Sequence, residues 1–236
     1  MKKLFYTLAI AAFALMGVAC NRTSEIKVMS YNIRLSSGTI EADSIYHWEH
    51  RKQASLELMH QEQPTVFGLQ EACPDQMDYM VENLPEYGYI GVGRDDGKRK
   101  GEFMSIFYKK DEVELIDGGT FWLSQTPDQV TKGWDAACFR TCTWTILKKK
   151  DTGKKFVYLN THLDHKGQEA RKESIKLIVA KAEELTGGKL PVFITADFNS
   201  PTTNEIFKPM QSAMKDARVE APVPDERGTL NCWGTT

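Results

Sequence analysis

Short apolar runs alternate with amphipathic stripes along most of this chain. Glu25–Tyr31 carries Ile26, Val28, Met29 and Tyr31 and reads as a strand, as do Pro64–Leu69, Tyr87–Val92, Phe103–Lys109 and Thr120–Leu123. Phe139–Leu147 returns through Asp151-Thr-Gly153 into Lys154–Asn160, which predicts a β-hairpin, and Leu190–Ala196 is a further strand. Helical spacing covers three segments. Glu49–Glu62 carries Leu56, Leu58 and Met59, and Pro74–Leu84 puts Met77, Met80, Val81 and Leu84 on one stripe behind a proline suited to a first turn. Gly167–Thr186 carries Ile175, Ile178, Ala182 and Leu185 and stops at Gly187-Gly188. These stripes are core. A hairpin does not occur in a purely parallel doubly wound sheet, so the mixture predicts an α/β fold of two mixed sheets packed face to face with helices outside. Gly91-Val-Gly93 lacks the rest of a dinucleotide fingerprint and reads as a turn.

Four of the strands end in chemistry rather than in packing residues. Glu25–Tyr31 leads into Asn32-Ile-Arg34, Pro64–Leu69 into Gln70-Glu71, Lys155–Leu159 into Asn160-Thr-His162-Leu-Asp164, and Leu190–Ala196 into Asp197-Phe-Asn199. Side chains alternate faces along a strand, so groups two apart project to one side. Open α/β sheets place ligands beyond the carboxyl ends of their strands, so Asn32, Glu71, His162, Asp197 and Asn199 are expected in one cleft.

The first residues change the picture of where this domain works. Lys2 and Lys3, an apolar stretch from Leu4 to Val18 and small residues before Cys20 make residues 1–19 a secretory signal. Gly17-Val-Ala-Cys20 resembles a bacterial lipobox. It implies that Cys20 carries lipid, that residues 20–25 are a short linker and that the protein is anchored to a membrane of the cell envelope. Ordinary secretion with cleavage at the same bond is the alternative. The domain then spans residues 26–236. Without the two signal lysines the formal net charge moves from −2 to −4, which gives no electrostatic argument for a nucleic-acid partner. The run Arg94-Asp-Asp-Gly-Lys-Arg-Lys100 carries its own acids and reads as a solvated loop, or as a greeting for phosphate at the cleft mouth. Cys73, Cys138, Cys142 and Cys232 form no Cys-x-x-Cys and are expected to be small buried thiols. A monomer is expected.

Carboxylate and amide oxygens are hard ligands, so Glu71 and Asn32 suit Mg²⁺ or Mn²⁺ better than zinc. Asp197 can orient or deprotonate water, Asn199 can donate to a crowded phosphorus centre, and His162 can supply charge or a proton. That outlines phosphoester hydrolysis. Five motifs then appear in order: Met29-Ser-Tyr-Asn32-Ile-Arg34, Leu69-Gln-Glu71, Gly101-Glu102-Phe-Met, Asn160-Thr-His162-Leu-Asp164 and Ala196-Asp197-Phe-Asn199. Together they resemble the endonuclease/exonuclease/phosphatase superfamily. Phe121-Trp-Leu-Ser-Gln-Thr-Pro-Asp128, Lys132-Gly-Trp-Asp-Ala-Ala137 and Arg140 are similar to a secreted bacterial branch of it.

The resemblance implies a four-layer α/β sandwich and a metal-dependent hydrolase of phosphoesters, foremost phosphodiesters. It implies metal at Glu71 with Asn32 beside it, and Glu102 holding a His162 imidazolium. Asp197 would handle the nucleophilic water and Asn199 the transition state. Arg140, Arg34 and Asp164 would meet substrate, each being equally readable as half of a salt bridge. The substrate class stays open among nucleic acids, lipids and inositol phosphates.

Members of the superfamily continue past the Gly228-Thr-Leu-Asn231 region into further strands and a terminal Ser-Asp-His. Here the sequence stops at Thr236, and its five histidines all precede Lys166. Asp216 and Asp225 sit in no matching motif. A longer parent protein is the expected explanation, with a degenerate envelope lipoprotein that binds a phosphorylated or glycan ligand as the rival. A weaker rival is a binuclear zinc hydrolase, since His162-Leu-Asp164-His165 resembles the end of a His-x-His-x-Asp-His motif whose first histidine would fall at Asn160. His165 is expected in a solvated loop, and His47 and His50 at a helix start or substrate rim.

Overall fold

The computed structural model describes residues 24–36, 46–223 and 229. The signal segment 1–19, Cys20 with most of its linker, Asp225 and Cys232 lie outside the described residues. In chain order the elements are β1 (Val28–Asn32), α1 (Trp48–Glu62), β2 (Val66–Gln70), α2 (Pro74–Asn83), β3 (Tyr87–Ile90), β4 (Ile106–Lys109) and β5 (Val113–Trp122). They continue with β6 (Thr141–Lys149), β7 (Lys155–His162), α3 (Gln168–Thr186), β8 (Val192–Asp197), α4 (Lys208–Ala213) and α5 (Ala217–Glu220).

Local signals end the helices as expected. Pro74 opens α2, and Gln76 closes a capping box on Cys73, whose backbone N–H reaches Gln76 Oε1 at 2.9 Å. Gly187 terminates α3 in the left-handed region. Two strands differ from their sequence reading. β4 starts at Ile106 because Phe103 bridges instead to Ala72 and Gly93. β5 begins seven residues earlier than Thr120, since β6 pairs with weak strand formers such as Glu114, Asp117, Gly118 and Gly119 across a bulge at Leu115/Asp117.

The two four-stranded sheets have the orders β1-β2-β4-β3 and β5-β6-β7-β8. β1 with β2 and β7 with β8 are parallel, and the other neighbours are antiparallel. Alternation along the strands assigns the layers. Phe67, Leu69 and Phe107 pack under Met59 of α1 and Met77 and Met80 of α2. Val157 and Leu159 pack under Ile175, Ile178 and Ala182 of α3. The opposite faces meet between the sheets, where Val66 and Ile106 contact Leu147, Phe156 and Tyr158. The molecule is thus the four-layer sandwich expected.

Toward the carboxyl ends of β2 and β7 the space between the sheets becomes polar. Asn160, fully buried, donates through Nδ2 to Leu69 O (2.7 Å) and Ser105 O (3.0 Å). Its Oδ1 accepts from Gln70 Nε2 (2.7 Å) and Thr195 Oγ1 (3.1 Å), so all four of its hydrogen bonds are made. The close approach needs Gly68: a Cβ there would sit 2.3 Å from Asn160 Oδ1. This clamp fixes β2 against β7 and β8 one or two residues before the polar strand ends.

Candidate active site

Glu71, His162 and Asp197 converge at those ends, each presenting a possible ligand atom within 4.8 Å of the others. Asn32, the last residue of β1, joins them: its Nδ2 donates to Glu71 Oε1 and to Asp197 Oδ2, both at 2.9 Å. Its Oδ1 is taken by the Arg34 N–H at 2.9 Å. Asn32 therefore spaces two carboxylates from opposite sheets. The chain leaves the strands abruptly here, with Arg34 (φ 59°), Glu71 (φ 64°) and Asn199 (φ 47°) in the left-handed region. Non-glycine residues held there cost about 1–3 kcal/mol each and cluster at functional sites.

His162 is buried, and its Nε2 accepts from Asn199 Nδ2 at 2.9 Å. Its Nδ1 has no hydrogen-bond partner among the described residues. Burial, then the nearby Arg140 guanidinium, lower its pKa from 6.5 to about 4, against the pull of Asp197 and Glu71. The expected imidazolium is thus a neutral ring carrying its proton on Nδ1. The expected Glu102 partner is also corrected: Glu102 Oε2 accepts from Arg94 Nη1 at 2.6 Å. Burial raises the Glu102 carboxyl in spite of that cation. Asn199 commits Nδ2 to His162 and to Leu163 O (2.9 Å), so in this geometry it orients the imidazole rather than facing an anion.

Arg140 is 5% exposed, and its Nε reaches Asp164 Oδ2 at 3.3 Å. Its Nη2 donates to His165 Nδ1 (3.1 Å), while Nη1 is buried with no partner among the described residues. Burial alone would raise Asp164, but N–H groups of Gly167, Lys166, Ala137 and Cys138 hold it well below the usual carboxylate range. Asp164 is therefore the buried anchor of Arg140 and of the turn into α3. His165 is exposed as expected, though bonded to Arg140.

Arg34 is exposed, and its carbonyl accepts from Arg51 Nη2 and Gln76 Nε2. His47 caps α1 through Nδ1, which matches the helix-start reading. The basic run divides: Arg94 lies largely inside against Glu102, whereas Lys98, Arg99 and Lys100 are exposed. Cys73 and Cys142 are buried thiols, and Cys138 is half-buried. Asn160 spends every polar atom on the inter-sheet clamp, so the position of the zinc motif's first histidine is a structural amide. Asp164 and His165 Nδ1 bond Arg140, and with Cys138 they form a second group of possible ligand atoms within 4.8 Å of one another.

Sequence reasoning missed Arg94 as the Glu102 partner, Arg51 and Gln76 as braces of the Ile33–Ser36 segment, and Asp135 as a distant acceptor for N–H groups of the first turn of α3. Asp135 Oδ1 accepts from the Ala170 N–H at 2.7 Å, at the start of α3. Only the Asp135 motif carried any local signal. Glu71 and Asp197 offer carboxylate oxygens within 4.8 Å of one another, the hard donors that a divalent cation such as Mg²⁺ or Mn²⁺ prefers, whereas the ring nitrogens of His162 serve as acceptor and donor.

The profile of the Endonuclease/Exonuclease/phosphatase family matches residues 29–236. A mannosyl-6-phosphatase structure from Bacteroides thetaiotaomicron is similar at 43% identity and a TM-score of 0.76, over 80% of this chain and 70% of that one. An endonuclease/exonuclease/phosphatase structure from Bacteroides vulgatus shares 38% identity and a TM-score of 0.80, over 85% and 77%. An uncharacterised protein of Acanthamoeba polyphaga mimivirus is 26% identical over 182 residues, covering 74% of this chain and 67% of that protein.

Proposed function

Since the chain belongs to the Endonuclease/Exonuclease/phosphatase family, we propose that it hydrolyses phosphoester bonds with Mg²⁺ or Mn²⁺ held at Glu71. The observation that carries this reading is the pair of carboxylates bridged by Asn32, with buried donors on both His162 and Arg140 that have no partner among the described residues. Such donors gain most from an anion that fills the gap. A bound cation would supply Lewis-acid polarisation of a phosphoryl oxygen. Arg140 Nη1 would donate to a second phosphoryl oxygen, held in aim by Asp164 and His165. His162 Nδ1–H would donate to a third, with Asn199 fixing the ring. Asp197, one third exposed, is open to water and would take its proton as the water oxygen bonds to phosphorus and the ester P–O bond breaks, the leaving alcohol oxygen taking its proton from solvent. Export and a lipid anchor at Cys20 belong to the same proposal.

The test is turnover of p-nitrophenyl phosphate and bis-p-nitrophenyl phosphate by the full-length protein, with Mg²⁺ or Mn²⁺ and with EDTA. Asp197→Asn and Arg140→Ala are each expected to lower kcat by about 10²–10⁴ with an unchanged circular dichroism spectrum. Wild-type turnover that survives either substitution overturns the mechanism. Tight phosphate-ester binding with no turnover would favour the non-catalytic binding protein instead.

A further inference from the structure

A cavity of about 330 Å³ opens beside the acid cluster, walled by Pro74 and Asp75 at the start of α2 and by Arg94, Asp95, Gly101 and Glu102 from the loop between β3 and β4. Its walls lie within electrostatic reach of the acid cluster. Glu102 feels the charge of Glu71, and His162 feels that of Arg94. The Leu35–Ser36 segment ties both regions together, its Leu35 N–H donating to Glu71 Oε2 (3.1 Å) and Ser36 Oγ to Asp75 Oδ1 (2.7 Å).

The walls are set in place rather than loose. Arg94 is held by Glu102 and through its carbonyl by Trp122 Nε1 at 2.8 Å, and its Nε is buried with no hydrogen-bond partner among the described residues. Gly101 has φ 82°, and a Cβ there would lie 2.6 Å from the Asp95 carboxyl, so that acid packs directly on the backbone.

Three carboxyl groups face one guanidinium. Carboxylates accept from hydroxyls and guanidinium donates to them, so the wall matches an alcohol bearing several hydroxyl groups. A second phosphate or a nucleic-acid backbone would meet net negative charge. A quaternary or primary ammonium group finds no aromatic ring among the lining residues and would meet Arg94. The volume lies at the low end of the roughly 300–1,000 Å³ of ligand pockets, suited to a single small group.

We infer that this cavity binds the neutral sugar part of the substrate, so that the esters cleaved are sugar phosphates. The inference rests on the phosphoester hydrolysis proposed above and departs from the phosphodiester expectation. The likeness to a mannosyl-6-phosphatase supports it.

Asp75→Asn and Asp95→Asn separate the cavity from the chemistry. With the full-length protein, both are expected to lower kcat/KM for mannose 6-phosphate at least roughly ten-fold while p-nitrophenyl phosphate stays within about two-fold. Calorimetric titration with mannose 6-phosphate should show the same weakening without relying on turnover. Equal losses on both substrates, no change on either, or a wild-type preference for phosphocholine or an oligonucleotide overturns the inference. Binding of mannose 6-phosphate that is weakened by these substitutions, in a protein that turns nothing over, keeps the cavity and removes the hydrolysis. Turnover of p-nitrophenyl phosphate with no sugar preference does the reverse.

Discussion

Burial and the Arg140 guanidinium take the His162 imidazole from 6.5 down to about 4, and that difference must appear in stability. Between those values the unfolded chain binds a proton that the folded protein does not, so acid favours unfolding. Above about pH 6.5 neither form binds it and the contribution is flat. In EDTA, the urea midpoint is expected to fall as pH drops from 7 to 4, with His162 accounting for something on the order of 2–3 kcal/mol. His162→Gln should flatten that part of the profile. An unchanged acid slope in the variant would show that another group titrates. Individual residues were only half legible. His162 and Asp197 could be named from their places at strand ends, whereas the neutral state of His162 depends on its burial and then on a buried arginine 22 positions away in sequence.

Elements bring these residues to their places by register. Asn160 lies two residues before His162, and Thr195 two before Asp197, so the clamp residues share a face with the groups they aim. Gly68→Ala puts a methyl 2.3 Å from Asn160 Oδ1 and 2.5 Å from Thr195 Oγ1. The expected result is a loss of about 1–3 kcal/mol and a melting temperature lower by several degrees. Turnover should fall as well, because Glu71 moves relative to His162. A fully stable and active variant would remove the clamp from the account. Elements with strong alternation or capping signals, α2, α3 and β7, were readable in advance. The first half of β5 was not, since its charges and glycines become strand only by pairing along the whole of β6.

On the scale of the molecule, the site exists only where two sheets meet. β1 and β2 deliver Asn32 and Glu71 from one, and β7 and β8 deliver His162 and Asp197 from the other. Where the molecule resides is a separate question, carried by the residues before the fold. The lipobox resemblance predicts that Cys20→Ser abolishes labelling by radioactive palmitate and moves the protein from the membrane to the soluble fraction. Label retained in that variant would end the lipoprotein proposal.

The amino-acid sequence by itself determined most of the alternation of strands and helices, the core-facing stripes of the helices, and the polar groups that end four strands. These are local properties, set by side-chain periods of 2 and 3.6 and by the few residues that cap or break an element. Tertiary structure decided the pairings: Glu102 with Arg94, Asn199 with His162, and Asn32 with an Asp197 that lies 165 positions further on. Such partners are selected by how two twisted sheets stack and how loops cross their ends, and no spacing along the chain encodes that distance.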